Sequence, residues 1–405
     1  MTKTLSIGFA TFLLALLTPL TGCEKKAPTT GGATTAAPAE AASDRDSAAE
    51  IVIGHYGSLT GSEATFGRST DEGIKLAVAE INAAGGIEIG GKKKMVKLVS
   101  EDTESKAEKA GDVVRKLVSK DNVVAVLGEV ASSITKEGAP VCQRAKVPTI
   151  TPSSTNTTVT EIGDYVFRVC FIDPFQGYAG AKFAREQLKA TKVALLVDKS
   201  SAYSDQLSQE FAKAFVQMGG TVVASVDYNK GEKDFNARLT SVREKAPDIL
   251  YVPGYYTDVA NIAIQARALN MKMPLMGGDG WDSEDLAKNG GTAIEGCFYT
   301  NHYAPDNPNP TITAFLKKYG EAYQGKVPDG LAALGYDAAN VLFEAMKRAK
   351  TADGPKLRDE IAKTAGFVGV TGTITLDKDR NAVKPIVVLE RKDGKWVYRA
   401  TVEPK

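Results

Sequence analysis

Short β-branched runs alternate with amphipathic helical spans twice along this chain, and that alternation leaves few folds open. In the first array, residues 51–54, 95–100, 123–127 and 147–151 read as strands, and residues 67–84, 105–119 and 133–144 read as helices. Within the first helix Ile74, Ala77, Val78 and Ile81 recur at helical spacing, a stripe that has to face a core. Strands that alternate with helices pair in parallel, because a parallel crossover needs a dozen or more residues, and the helices then cover both faces of the sheet. In the second array, residues 192–197, 221–226, 249–253 and 273–276 are the strands, with helices at 204–218, 234–245 and 258–269. Two arrays joined near residues 171–174 predict an α/β protein with two doubly wound parallel-sheet lobes. The end of the chain reads differently. Residues 297–300 are followed by helices at 311–324 and 337–349, then by strand-like 372–376, 386–390 and 397–401, with turns at 377–381 and 393–394.

Length agrees with two lobes, since the roughly 350 residues beyond position 50 exceed what one hydrophobic core usually supports. The charges nearly cancel: 50 Lys and Arg against 49 Asp and Glu give a formal +1, with both signs interspersed. No basic stripe points to nucleic acid, and no apolar segment after the first points to a membrane span. Four cysteines are present, Cys23, Cys142, Cys170 and Cys297. In an oxidising compartment the last three allow one disulfide and one buried thiol. Cys142 and Cys170 belong to the same predicted lobe, but spacing alone leaves their pairing open.

The N-terminus reads as an address. Lys3 precedes an apolar run over residues 5–17, too short and wrongly flanked for a stable transmembrane helix. Leu20-Thr21-Gly22-Cys23 then resembles a bacterial lipobox, in which the cysteine becomes the lipidated N-terminus. The bland alternative is an ordinary secretory signal with an incidental cysteine. Residues 24–49 are rich in Ala, Thr, Pro and Gly with almost no large apolar side chains, so they cannot bury enough surface to fold. The expected division is a signal peptide at 1–22, a lipidated cysteine and linker at 23–50, and a folded part beginning at Ile51.

Gly57-Ser58-Leu59-Thr60-Gly61, Ala79-Glu80-Ile81-Asn82-Ala83-Ala84-Gly85-Gly86-Ile87 and Val147-Pro148-Thr149-Ile150-Thr151-Pro152-Ser153-Ser154-Thr155 carry a resemblance, joined by Gly231-Glu232-Lys233-Asp234-Phe235 and Gly277-Gly278-Asp279-Gly280. In this order and spacing they resemble the leucine/isoleucine/valine-binding family of type I periplasmic binding proteins, the receptors of ABC importers. The resemblance runs from about residue 51 to residue 398. It implies two lobes joined by three crossings, near 171–174, 301–304 and 366–371. The first lobe is then 51–172 plus 302–368, and the second 173–301 plus 369–405. It further implies a monomer outside the cytoplasmic membrane, held by the Cys23 lipid and handing an amino acid, by default a branched-chain one, to a membrane permease. Neither enzymatic activity nor a cofactor or metal is expected.

Ligands of open α/β sheets collect beyond the carboxyl ends of the strands, where helix N-termini present free N–H groups. Ser132 and Ser133 open a helix there, and by residue type both are ordinary N-cap residues. The resemblance instead gives Ser132 to the ligand carboxylate, Ser153 a main-chain carbonyl for the ammonium, and Thr155 contacts with both groups. Asp279, among glycines that let a ligand approach the backbone, offers the ammonium a counter-charge. The family carries a glutamate at that position, so Asp279 has one methylene less reach. The resemblance brings Tyr203 and Tyr255 from the second lobe and Phe66 and Tyr336 from the first to close the cage, with Trp281 near enough to intrude beside Asp279. Two other readings remain: a sensing module of the same fold for amides or carboxylates, and an acyl-serine hydrolase built on Ser133-Ile134-Thr135-Lys136. The second lacks a following Lys-Thr-Gly. His55 and His302 are too isolated to suggest a metal or a triad.

Overall fold

The computed structural model describes residues 45–404. Two separate sheets carry the two arrays. In the first, strands Ile51–Gly57, Val96–Asp102, Ala125–Leu127, Thr149–Thr151 and Val166–Arg168 pair in parallel throughout, with Ile51–Gly57 between the second and third of them. In the second, Lys192–Asp198 lies between Thr221–Tyr228 and Ile249–Tyr251, and Leu275–Gly277 and Phe298–Asn301 extend the parallel order. Ile386–Lys392 and Lys395–Val402 complete that sheet as an antiparallel pair on the edge of Phe298–Asn301.

The strand orders fix where a site forms. The order in which strands are added reverses across the first sheet between Ile51–Gly57 and Ala125–Leu127, and across the second between Lys192–Asp198 and Ile249–Tyr251, while the strands stay parallel. Loops leaving the carboxyl ends of such neighbours diverge and leave a crevice. Phe66 and Ser132 follow the first pair, and Tyr203 and Tyr255 the second.

Both sheets are buried as their β-branched strands require. One apolar cluster joins Ile51, Ile53, Leu127 and Ile150 to the Gly330–Ala349 helix, on one face of the first sheet. The other face, with Val126, Ile134 and Cys142, runs continuously into the core of the second sheet. The three described cysteines are free and buried. Cys142 and Cys170 sit in different clusters, so the pairing left open by spacing is not made, and burial pushes both thiols up to about 12.

Three elements depart from the sequence reading. Residues 372–383 do not join the second sheet: Ile374, Leu376 and Ala382 pack in the first sheet's cluster. The chain passes over only between Val383 and Ile386, not at residue 369. The helix expected from 337 starts at Gly330, because Asp329 caps it by accepting the Ala332 N–H at 2.9 Å. A helix at Asp173–Glu186 appears where none was read. Its buried face carries Asp173, Gln176, Gly177 and Gly180 beside Ala179 and Phe183, so no stripe of large apolar residues marks it in the sequence.

Candidate functional site

A small cavity lies between the two sheets. Ser132, Val130 and Ser153 line it from the first sheet's loops, and Phe66 and Leu331 from the starts of two first-half helices; Tyr203, Tyr255, Asp279 and Gly280 line it from the second half. Six of the eight residues expected at the site therefore meet there.

The hydroxyl wall is built from two loops sewn together. Ser132 is the first residue of the Ser132–Ala145 helix, and the N-cap is Ala131, whose side chain cannot cap. The capping role open to Ser132 is thus not the one it fills: its Oγ accepts the Asn156 N–H at 3.3 Å from the neighbouring loop. Ser154 Oγ reaches the main-chain oxygens of Glu129 and Val130 at 3.0 and 2.9 Å, and Thr151 Oγ1 donates to Glu129 O at 2.6 Å. Arg168, fully buried, donates from its guanidinium to Ser154 O at 2.6 Å and Asn156 O at 2.8 Å. These bonds hold Ser153, whose Oγ is buried without a partner and faces the cavity. An unpartnered buried hydroxyl costs about 1–3 kcal/mol, which a polar ligand atom would recover. Glu129 lies under this wall, its carboxylate accepting the Ser58 hydroxyl at 2.5 Å and the Ala131 N–H at 2.6 Å. Burial pushes it up to about 7.

The opposite wall is charged. Asp279 Oδ1 accepts a hydrogen bond from Gln176 Nε2 at 2.9 Å, and Oδ2 lies 3.0 Å from His302 Nε2. His302 stacks on Phe171 at 3.9 Å, and burial lowers it to about 4, so the ring is neutral at pH 7 and donates from Nε2. His302 follows the Phe298–Asn301 strand and orients the site's carboxylate, a role neither a metal nor a triad and not read from the sequence. Tyr203 OH accepts the Gly280 N–H at 3.1 Å, and its ring stacks on Tyr255 at 5.3 Å. A Cβ on Gly280 would lie 2.8 Å from Gly254 O and 3.0 Å from the Tyr203 ring, so only glycine lets the loop lie this close. Phe66 meets the Tyr255 ring edge-on at 5.7 Å.

Thr155 is buried and does not line this cavity, and its main-chain oxygen accepts the Asp173 N–H at 3.0 Å. Asp173 was not singled out from the sequence. Burial pushes its carboxyl well above the usual range, against the pull of the Thr155 hydroxyl. Tyr336 does not join the site. It lies one and a half turns into its helix, and its hydroxyl donates to Glu80 at 2.7 Å while its ring packs on Phe315. Leu331, at the start of the same helix, fills the apolar place given to Tyr336. Trp281 does not intrude either, being fully buried with Nε1 donating to Val252 O at 2.9 Å. Ser133 Oγ accepts the Ala202 N–H at 3.0 Å, tying the two halves together. Lys230 and Glu63 form an ion pair across them at 2.5 Å. His55 is buried under the first sheet's crevice, with Nδ1 3.0 Å from Leu127 O. Among the described residues no cluster of three or more His, Cys, Asp or Glu is placed to hold a metal ion, and no helix is long and apolar enough to cross a membrane. Cys23 lies outside the described residues.

Two doubly wound sheets with their crevices facing, and one small polar cavity closed between them, define a solute-binding class of protein. The periplasmic binding protein family model matches residues 50–395, and the chain belongs to that family. Such proteins are solute-binding receptors and work outside the cytoplasm. The chain is 31% identical over 356 residues to a Leu/Ile/Val-binding protein homolog 2 of Brucella abortus, covering 86% of this chain and 93% of that one. Among solved structures it is similar to a leucine-binding protein of Thermotoga maritima, with a TM-score of 0.83, 38% identity, and 87% and 99% of the two chains covered. It is also similar to a branched-chain amino acid transporter substrate-binding protein of Streptococcus pneumoniae in complex with isoleucine (TM-score 0.82, 33% identity, 88% and 100% covered).

Proposed function

We propose that this protein is the receptor of an ABC importer, capturing an α-amino acid with an aliphatic side chain between its two halves and delivering it to a membrane permease. The observation that carries the reading is Asp279. Its carboxylate faces a cavity otherwise lined by hydroxyls, aromatic rings and Leu331, and neutral donors on Gln176 and His302 hold it in place. A ligand ammonium gains a counter-charge there, out of water, where the attraction is strong. The ligand carboxylate falls to Ser132, Ser153 gives its main-chain carbonyl to the ammonium, and Thr155 serves both ends. Phe66, Val130 and Leu331 then meet an apolar side chain. The relatives named for leucine, isoleucine and valine support the same assignment.

Capture proceeds by hinge closure about the crossings at residues 169–172, 302–305 and 384–385. The first half, 51–172 with 302–383, presents the hydroxyl wall, and the second half brings Tyr203, Tyr255 and Asp279. The protein works as a monomer, without enzymatic activity, anchored by lipid on Cys23 at the outer face of the cell membrane.

A thermal-shift screen of the soluble chain (residues 24–405), stripped of ligand by refolding, tests the assignment. An aliphatic L-amino acid at a hundred times its dissociation constant is expected to add about 2.7 kcal/mol of stability. Silence there, with a shift from carboxylic acids or amides that lack an α-ammonium, would overturn the role of Asp279 and make the protein a receptor for those solutes.

A further inference from the structure

The turn that delivers Asp279 to the cavity delivers a second carboxylate elsewhere. Three residues on, Asp282 turns to the first half, where its Oδ2 accepts the main-chain N–H of Gly330 at 2.6 Å. The same oxygen accepts Asn301 Nδ2 at 2.9 Å, and Oδ1 accepts the Tyr299 hydroxyl at 3.0 Å. Gly330 opens the Gly330–Ala349 helix, and its neighbour Leu331 lines the cavity. The first-turn amides of this helix are thus shared: its own cap Asp329 takes Ala332, and Asp282 from the opposite half takes Gly330. A helix N-terminus carries a partial positive charge that favours both. The approach is tight, since a Cβ on Gly330 would lie 2.6 Å from Asp282 Oδ2. Ser283, next in the turn, meets Thr65 Oγ1 of the Ala64–Ala83 helix at 2.9 Å, so the turn is tied to two first-half helices at once.

We propose that Asp282 is a positioning residue for ligand capture: by docking on the Gly330 N–H it sets the register between the turn that carries Asp279 and the helix that carries Leu331. This rests on the reading that the cavity is the ligand site and that the halves part to admit the ligand. One contact then couples the polar and the apolar ends of the site, and it exists only when the halves have met.

Docking also brings two carboxyls to one helix end. Asn301, Tyr299, Tyr303 and Asp279 surround Asp282. Ser69 Oγ donates to Asp329 at 2.6 Å, and Arg68, Glu72, Glu284 and Lys326 share its surface cleft. Burial, and then the charge of Asp282, push Asp329 up to about 7 against the pull of Lys326, and burial raises Asp282. When the halves part, Asp282 leaves Asp329 and both carboxyls regain water, which moves them back toward the ordinary carboxylate range. Closure therefore takes up a proton between about pH 4 and pH 7, and affinity rises as pH falls through that window, by up to about tenfold per unit, and is flat above it.

Calorimetry with L-isoleucine at pH 5.5 and 7.5, on the full chain carrying Cys23→Ser, tests the docking. Asp282→Ala is expected to weaken binding at least tenfold at both values. Asp282→Asn keeps an acceptor for Gly330 and is expected to stay within about threefold of the parent at pH 7.5 while its pH dependence shrinks; Asp329→Asn keeps the cap and shrinks it likewise. Small-angle scattering of the empty chain supplies a readout free of ligand: the parent is expected to be more compact at pH 5.5 than at 7.5, and Asp282→Ala not. A parent that ignores amino acids yet compacts in this Asp282-dependent way would overturn the ligand assignment and uphold Asp282. Equal affinity for parent and Asp282→Ala, equal losses for the Ala and Asn variants, or compaction indifferent to Asp282 would overturn the positioning role.

Discussion

The two walls of the cavity solve opposite electrostatic problems. The first-sheet wall is neutral at its surface: Ser132 presents a hydroxyl at a helix N-terminus and Ser153 one from the neighbouring loop. The glutamate beneath it, Glu129, is held back by Ser58 and the Ala131 N–H. The second-sheet wall exposes a carboxylate, Asp279, to the cavity and surrounds it with the neutral donors Gln176 and His302. The first wall accommodates negative charge by dipoles, and the second supplies negative charge outright. A zwitterion has one orientation that suits both, so the asymmetry of the walls fixes the ligand's direction as well as its class.

Removing the charge from the second wall breaks the comparison most sharply. Asp279→Asn is expected to cost about 3–5 kcal/mol of L-isoleucine binding, since a buried ammonium loses its counter-charge. Isothermal calorimetry reads this directly, and an unchanged affinity would remove the amino acid assignment. On the hydroxyl wall the expected loss is smaller. Ser132→Ala deletes one hydrogen bond to a charged group, worth about 1.5–3 kcal/mol. Because Ala131 and not Ser132 is the N-cap, what the empty protein loses is the long bond from the Asn156 N–H at 3.3 Å, and its stability is expected to fall by less than about 1 kcal/mol. A drop equivalent to 1 kcal/mol or more would return Ser132 to the structural role its residue type suggests.

Glu129 gives the wall a signature in pH. Raised to about 7, its carboxyl binds more protons in the folded than in the unfolded chain between about pH 4.5 and 7. Its contribution to stability therefore declines as pH rises through that window and is level above it. His302, lowered to about 4, acts in the opposite sense: its contribution is lost as pH falls from about 6.5 toward 4. Glu129→Gln keeps an acceptor for the Ala131 N–H and a partner for Ser58. Melting curves are expected to show the variant gaining on the parent from pH 5 to pH 8. An unchanged difference across that range would mean that the first wall carries no titrating group.

Legibility in the sequence followed the same asymmetry. Residues after a strand's carboxyl end are placed by topology, so Ser132, Ser153 and Asp279 were readable as soon as the βα alternation was; the family resemblance gave them roles and added Tyr203 and Tyr255. The helix at Asp173–Glu186 was not, because its buried face carries Asp173, Gln176 and two glycines where a stripe of large apolar residues would mark a helix. With it went Gln176 and Asp173, both needed to describe the charged wall. His302 was missed for a related reason. Its partner Asp279 is 23 residues away, and only the pairing of adjacent strands in the second sheet brings them together. The passage to the second sheet was misplaced because residues 372–376 alternate like any edge strand, and alternation does not say which core the apolar side will enter.

Tyr336 offers the finest test, because the family resemblance and the structure disagree about it. The resemblance puts it against the ligand side chain. In the structure it sits six residues into the Gly330–Ala349 helix, about 600° of rotation and 9 Å of rise from its start, so it faces the Ala64–Ala83 helix and hydrogen-bonds Glu80. Leu331, in the first turn, points into the cavity instead. Tyr336→Phe is expected to leave L-isoleucine affinity within twofold and to cost about 0.5–1.5 kcal/mol of stability through the lost bond to Glu80. Leu331→Ala is expected to do the reverse in emphasis, weakening binding more than folding, since Leu331 meets the ligand. If Tyr336→Phe weakened binding while Leu331→Ala did not, the helix would have to be turned about its axis, and the apolar end of the site would need to be rebuilt around Tyr336.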